Sequence, residues 1–302
     1  MANTFLTADI IAKQALATLS ETLVMKPLIH TDLTKEFGRQ KVGDTINVKK
    51  PATFEARDFD RARGIELQDY QEDSVAVKLD KFKDVSFAVT SEELALDIGN
   101  FDEQLLTPAM QALALGVDTA ILSLRDDLTQ EVGTNDGFPF NKPEVLIDAG
   151  RVLDQNNVPV DGRRAVVGPA TKANWINTEL LKRADQSGST EALRKANMGK
   201  DLFGFDTYYT NNIKTPTESG TGFPTTEVGM AFHDSAFAFA SAPQEVPPGA
   251  VGAVHTHQGL SLRAIMQYDI MKKQTIVSLD ILFGVKTLDP NRAVLLKGAD
   301  GE

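Results

Sequence analysis

Residues Asn100–Leu128, NFDEQLLTPAMQALALGVDTAILSLRDDL, hold the longest regular apolar pattern in the chain. Leu106, Met110, Leu113, Val117, Ile121, Leu124 and Leu128 step by four and three residues, which aligns them on one side of an α-helix. Ala109, Ala112, Ala114 and Ala120 add helix propensity, while Asp118, Arg125, Asp126 and Asp127 are expected on the opposite, wetter flank. Two start signals compete: Asn100 with Glu103 resembles a capping box, and Thr107 before Pro108 is a good N-cap ahead of a proline at the first helical position. Pro108 has no N–H to donate, so the helix either begins at Thr107 or kinks there. Gly133 and Gly137 are the expected end, and at about 1.5 Å per residue the stretch from Thr107 to Val132 would form a rod of roughly 40 Å.

Upstream, Thr7 to Met25 reads as an amphipathic helix with Thr7 as cap, Ile11, Ala15, Leu19 and Leu23 on its apolar face, and Pro27 as its stop. So terminal a helix is stable only when docked, on its own core or on a neighbouring subunit. A short β segment, Thr45–Val48, and a longer β pattern through Val75, Val77, Leu79, Val85, Phe87 and Val89 flank Ala52–Ser74. That flanked stretch carries Glu55, Arg57, Asp58, Asp60, Arg61, Arg63, Glu66, Asp69, Glu72 and Asp73 with few apolar residues. It exceeds an ordinary hairpin loop, so it is either functional or disordered, and its interspersed signs favour ion pairing over a nucleic-acid patch.

Downstream, Lys142-Pro143-Glu144 opens a helix burying Val145, Leu146, Ala149, Val152 and Leu153. Turn chemistry over 156–163 leads into a buried strand at Arg164–Gly168, followed by a helix expected over Thr171–Arg183 around the single tryptophan, Trp175. Gln186–Lys200 reads as a loop, and Gly204–Tyr209 as a strand. Leu260–Tyr268 and Thr275–Phe283 alternate apolar and polar residues about a turn at Met271-Lys272-Lys273, which predicts a long antiparallel hairpin, with a last short strand at Arg292–Leu296. The class is α+β.

Composition narrows the function. At 302 residues and 42% hydrophobic, the chain has ample material for a sizeable core. It contains no run of eighteen apolar residues, and MANTFLTADIIAK lacks the basic and apolar regions of a signal peptide, so cytoplasmic synthesis without secretion is expected. The absence of cysteine removes disulfides, cysteine-based zinc and iron–sulfur sites and thiol nucleophiles. A net charge of -11, from 42 acidic and 31 basic residues, argues against a sequence-reading nucleic-acid-binding domain.

The search for chemistry ends without an active site. No phosphate-binding glycine loop, dinucleotide fingerprint or Gly-x-Ser-x-Gly elbow is present. Among the four histidines, His255 and His257 would share one face of an extended strand, but no third metal ligand stands near them in sequence. Adjacent Asp126 and Asp127 fall about 100° apart on a helix and cannot face each other as a catalytic pair. No cofactor is implied. These residues favour a structural or assembly protein with an arm, a long charged loop and a long helix.

Several further stretches carry a resemblance. They are Val42–Val48 with Pro51, Val85–Leu96, Leu153–Pro159, Gly162–Pro169, Gly204-Phe205-Asp206 with Asn211-Asn212, and the closing hairpin from Gly259 to Gly284 with Pro290–Ala293. In this order, over nearly the whole chain, they resemble the HK97-like major capsid proteins of tailed bacteriophages, in particular the short-tailed-phage coat proteins that carry an inserted β-domain. Lys214–Glu227 is the only counterpart of that insertion here.

The resemblance implies an N-terminal arm over 1–40, an E-loop hairpin over 41–90 and a peripheral domain with the spine helix over 91–158. It implies an axial domain over 159–258 and a C-terminal hairpin over 259–302 that returns to the peripheral domain. It further implies a non-enzymatic subunit that assembles as pentamers and hexamers into an icosahedral shell around double-stranded DNA, touched weakly and non-specifically. The virion is the expected location, with assembly in the host cytoplasm, a separate scaffolding protein and a portal as partners, and no membrane. Arg57, Asp58, Asp60, Arg61, Arg63 and Glu66 are the residues expected at subunit interfaces. The alternatives are an encapsulin-like cellular compartment and, from another class, a soluble metal-dependent enzyme using His255 and His257.

Overall fold

A computed structural model describes residues 8–31, 45–49, 61, 74–90, 102–178, 181, 201–217 and 220–301. In chain order its elements begin α1 (Ala8–Thr22), β1 (Thr45–Lys49), β2 (Ser74–Lys78), β3 (Lys81–Thr90), α2 (Thr107–Leu122), β4 (Glu131–Val132), α3 (Val145–Gln155) and β5 (Arg163–Val167). They continue with α4 (Pro169–Ile176), β6 (Asp206–Tyr209), β7 (Gly229–His233), β8 (Phe237–Ala242), β9 (Val251–His257), β10 (Leu260–Asp269), β11 (Gln274–Thr287) and β12 (Ala293–Leu296).

The central helix α2 buries the whole predicted stripe: Leu106, Met110, Leu113, Val117, Ile121, Leu124 and Leu128 are each at most 8% exposed. Of the two expected start signals, the Asn100 capping box lies outside the described residues, and the α-helix proper begins at Thr107 with Leu106, not Thr107, as its N-cap. Asp102–Leu106 forms a π-helical turn that runs directly into α2, and Leu106 already has helical dihedrals, so Thr107 is not a cap. Pro108 is exposed at the second residue of α2. The end also comes early. A 3₁₀ turn at Ser123–Asp127 leads to an extended Leu128, because Glu131 and Val132 leave the helical path to pair with β12.

One expectation for this helix is overturned. Asp118, placed on the wet flank by the heptad-like count, is 2% exposed. The buried face is wider than one stripe because α2 is covered twice, by the first sheet and by α1, so Ala109, Ala114 and Leu122 are buried as well.

Two five-stranded sheets flank α2. The first has the order β3-β11-β10-β9, with β8 also paired to β11, and the second has the order β4-β12-β7-β5-β6. The predicted terminal hairpin is present, with β10 and β11 antiparallel from Arg263↔Asp280 to Asp269↔Gln274. Alternate residues of the first sheet, including Leu262, Ala264, Val277, Leu279 and Ile281, enter one core with α1 and α2. One face of the second sheet, through Val166, Met230, Phe232 and Ala293, closes that core. Its opposite face, through Ala165, Val167, Ala231, Val294 and Leu296, packs on α3 and α4 around Trp175. The Trp175 indole donates to the Phe140 carbonyl at 3.0 Å, so its buried N–H is satisfied.

The strands do not divide at the sequence ranges given above. β8 and β9, inside 159–258, belong to the first sheet with β10 and β11, and β12, inside 259–302, belongs to the second through its pairing with β7. β9 had no clear apolar alternation. It is joined to β10 by a two-residue turn in which Gln258 and Gly259 have φ of 48° and 73°, the left-handed pair that suits a tight hairpin. Helix α4 spans Pro169–Ile176, starting two residues before the expected Thr171 and closing sooner than Arg183.

Candidate functional site

The sequence offers no ligand-binding motif, so the candidate surfaces are the charged stretch expected at interfaces and the exposed features of the described residues. Of the six residues expected at interfaces, only Arg61 falls among the described residues, and it is exposed. Arg57, Asp58, Asp60, Arg63 and Glu66 lie outside them, as does the Gln186–Lys200 loop.

The base of the charged excursion is well defined. β1 and β2 pair antiparallel from Thr45↔Lys78 to Lys49↔Ser74. β2 is fastened to the outer face of the first sheet by a small cluster of Val77, Leu79, Ala238 and Ala240. The backbone at Lys78 crosses Gly284 of β11 so closely that a Cβ on Gly284 would overlap the Lys78 carbonyl.

A second surface is the tip of the β10–β11 hairpin. Asp269 Oδ1 accepts from the backbone N–H of Met271 at 2.9 Å and of Lys272 at 3.3 Å, and Lys273 is left-handed with φ of 53°. This ordered turn holds Ile270 70% and Met271 92% exposed, beside a half-exposed Tyr268. Two such residues side by side put exposed apolar area at the tip of the hairpin.

The N-terminal segment forms the third feature. α1 lies across β9, β10 and α2 of its own subunit, which answers the question of where it docks. Polar bonds then fasten the chain beyond it. Asp118 accepts from the backbone N–H groups of Val24 and Met25, both at 3.1 Å. The buried Lys26 ammonium donates to the Gln258 carbonyl, the Arg164 guanidinium donates to the Leu28 carbonyl, and His30 bridges to Ala238 in parallel. Burial lowers the Lys26 pKa from its ordinary value.

The imidazoles of the metal reading do not assemble a ligand set. His255 Nε2 lies 2.7 Å from Asp9 Oδ1 on α1, and Asp9 also accepts from Lys13 at 2.8 Å. The hydrogen bond from Lys13, then that from His255, holds the Asp9 carboxyl below its ordinary pKa. No group of three or more His, Asp or Glu able to hold a metal occurs among the described residues. The His255–Asp9 contact thus ties α1 to the edge strand β9.

The sequence does not reveal the structural roles of two buried carboxylates, Asp118 and Glu227. Glu227 accepts from the N–H groups of Ala170 and Thr171 and from the Thr171 hydroxyl at 2.9–3.1 Å, capping α4 from 57 residues away. For Asp118, the signal available was the pair of alanines, Ala109 and Ala114, beside the main stripe. Glu227 had none.

No family model matches the sequence, and no curated protein is similar to it in sequence. Solved structures are similar over nearly the full length. A structure from Mycobacterium phage Che8 is 21% identical, covers 90% of each chain and has a TM-score of 0.68. The capsid structure of the cyanophage P-SCSP1u is 11% identical over 92% of this chain and 89% of that one, with a TM-score of 0.57. A virus-like particle from Pyrococcus furiosus is 13% identical over 95% and 98%, with a TM-score of 0.53. The chain has the HK97-like capsid fold.

Proposed function

We propose that this chain is the major capsid protein of a tailed bacteriophage, assembling into an icosahedral shell that encloses double-stranded DNA. The observation that carries the proposal is the end-to-end similarity to phage structures, 90% of this chain against 90% of the Che8 chain. In this reading the first sheet with α1 and α2 forms the peripheral unit. The second sheet with α3 and α4 forms the axial unit at the centre of pentamers and hexamers. The excursion between β1 and β2 is the E-loop, with Arg57, Asp58, Asp60, Arg61, Arg63 and Glu66 pairing across subunits. A separate scaffolding protein and a portal complete assembly in the host cytoplasm, and an acidic subunit of net charge -11 touches the packaged phosphates only weakly. The subunit has no catalytic role.

A cellular compartment with a protein cargo is the second reading, supported by the similarity to the Pyrococcus furiosus particle. Sedimentation and negative-stain microscopy of the purified chain, with and without its scaffolding protein, test the shell. Closed particles are the expected result, and a strictly monomeric species at high concentration in both conditions overturns it. Terminase and portal genes beside this one favour the virus, whereas a neighbouring cargo enzyme with neither favours the compartment.

A further inference from the structure

Strand β9 ends the first sheet and, among the described residues, pairs only with β10. The other edges of the two five-stranded sheets carry devices that discourage pairing with another chain. β3 bears Lys81, Lys83 and Asp84, β4 and β6 are two and four residues long, and β8 is bridged by His30. β9 has none of these: it is seven residues long, Val251–His257, without proline, Lys, Arg, Asp or Glu. Arg263, opposite Val254 on β10, is already gripped by Asp280 through bonds of 2.9–3.2 Å.

The β9–β10 turn fixes which main-chain groups face outwards. His257 and Leu260 close a two-residue turn, and the closing pair of such a turn exchanges both of its main-chain bonds. Alternation then points the N–H and C=O groups of His255, Ala253 and Val251 towards β10, and those of Thr256, Val254 and Gly252 away from it. The outward groups are symmetric about Val254, the middle residue of the strand. Two copies of β9 set antiparallel about Val254 therefore align over their full length. Gly252 meets Thr256 of the second copy, Ala253 meets its His255, and Val251 meets its His257.

The side chains suit this register. Ala253, His255 and His257 stand opposite the core residues Ala264, Leu262 and Leu260, on the face towards α1, where His255 meets Asp9. Val251 shares that face and is 67% exposed. In the aligned pair it stands beside His257 of the second copy, at a cleft of about 380 Å³ that Leu16 and Ala17 of α1 line together with His257. Pairing thus gives an exposed valine a partly apolar seat, and no like charges face each other across the new ladder.

We propose that the outer edge of β9 is a self-pairing surface: two copies of the chain join there across a twofold axis at Val254, and their first sheets become one continuous antiparallel sheet. Gly252, Val254 and Thr256 exchange main-chain hydrogen bonds with the second copy. The product is a dimer of subunits, and its formation requires neither a ligand nor a shell.

The chain has no cysteine, so one introduced thiol reports on the axis alone. Directly opposed residues that exchange hydrogen bonds stand about 5.5 Å apart at Cα, a span a disulfide bridges. Val254→Cys in the full chain, treated with oxidised glutathione as free subunits and as any particles they form, is expected to give a disulfide-linked dimer on a non-reducing gel. Val251→Cys, whose counterpart lies about 20 Å away along the strand, is expected to stay single. Absence of the Val254→Cys dimer from every preparation, or equal linkage by Val251→Cys, overturns the proposal. Val254→Pro removes the outward N–H at the axis and none that bonds to β10, a place where an edge strand tolerates proline. In sedimentation it is expected to lose the wild-type dimer with little change in melting temperature, and a variant as dimeric as the wild type overturns the pairing. If the proline variant does not fold, the two cysteine variants decide.

Discussion

At the scale of single residues, the buried carboxylates show how this fold handles charge. Asp280 has Arg263, Asp118 has two backbone amides, and Glu227 has three donors at the start of α4. Gly168, the N-cap of α4, offers no side-chain acceptor, and its missing Cβ is what lets the carboxylate approach: a Cβ there would lie 2.5 Å from Glu227 Oε2. Glu227→Ala leaves the buried Thr171 donors unpaired and is expected to cost on the order of 3 kcal/mol in urea unfolding. Gly168→Ala should cost about 1–3 kcal/mol by displacing the carboxylate. The double variant should be less destabilised than the sum of the two, because the added methyl has nothing left to clash with. Strict additivity in that cycle would mean the residues act independently. Neither partner announces itself in sequence, since 56 residues separate Glu227 from the Thr171 it caps.

At the scale of elements, the local periodicities are what the sequence made legible. The stripe of α2, the apolar faces of α1 and α3 and the alternation of β10 and β11 all sit where their spacing places them, because a single buried face leaves a periodic trace. Events that depend on distant chain do not. The early end of α2 follows from the parallel pairing of β4 with β12, and the breadth of its buried face follows from α1 arriving on the second side. β9 is a strand because β10 lies beside it. Gly284 is another such position: inside β11 it reads as a weak strand residue, yet it is where β2 crosses the sheet. Gly284→Ala is expected to destabilise the chain by about 2 kcal/mol. It should also raise amide exchange in β2 more than in β10. Uniform loss of protection across the first sheet would instead place the strain within β11.

At the scale of the whole molecule, the proposed shell role asks a subunit to make many contacts with copies of itself while remaining soluble alone, and two surface features suit these tasks. The subunit is acidic overall, so copies repel at long range, and association must come from local features. The hairpin tip presents apolar area, Ile270 and Met271, on a turn already ordered by Asp269. The stretch between β1 and β2 carries interspersed charges of both signs, and β2 at its base is anchored to the first sheet. Ion pairs at a wet surface are individually worth under about 1 kcal/mol. In the proposed shell, ion pairs repeated at every subunit contact would set its register, and like charges in the same places would oppose it. Arg57→Glu, Arg61→Glu and Arg63→Glu combined should therefore block or destabilise shells in sedimentation while leaving the isolated subunit's melting temperature nearly unchanged. Replacing Ile270 and Met271 together by Asp should give the same split between assembly and subunit stability, since neither side chain contributes to the subunit core. A parallel loss of shell and subunit stability in the arginine variant would place those residues inside the subunit's own fold, and the excursion would then be a structural arm with no role in pairing.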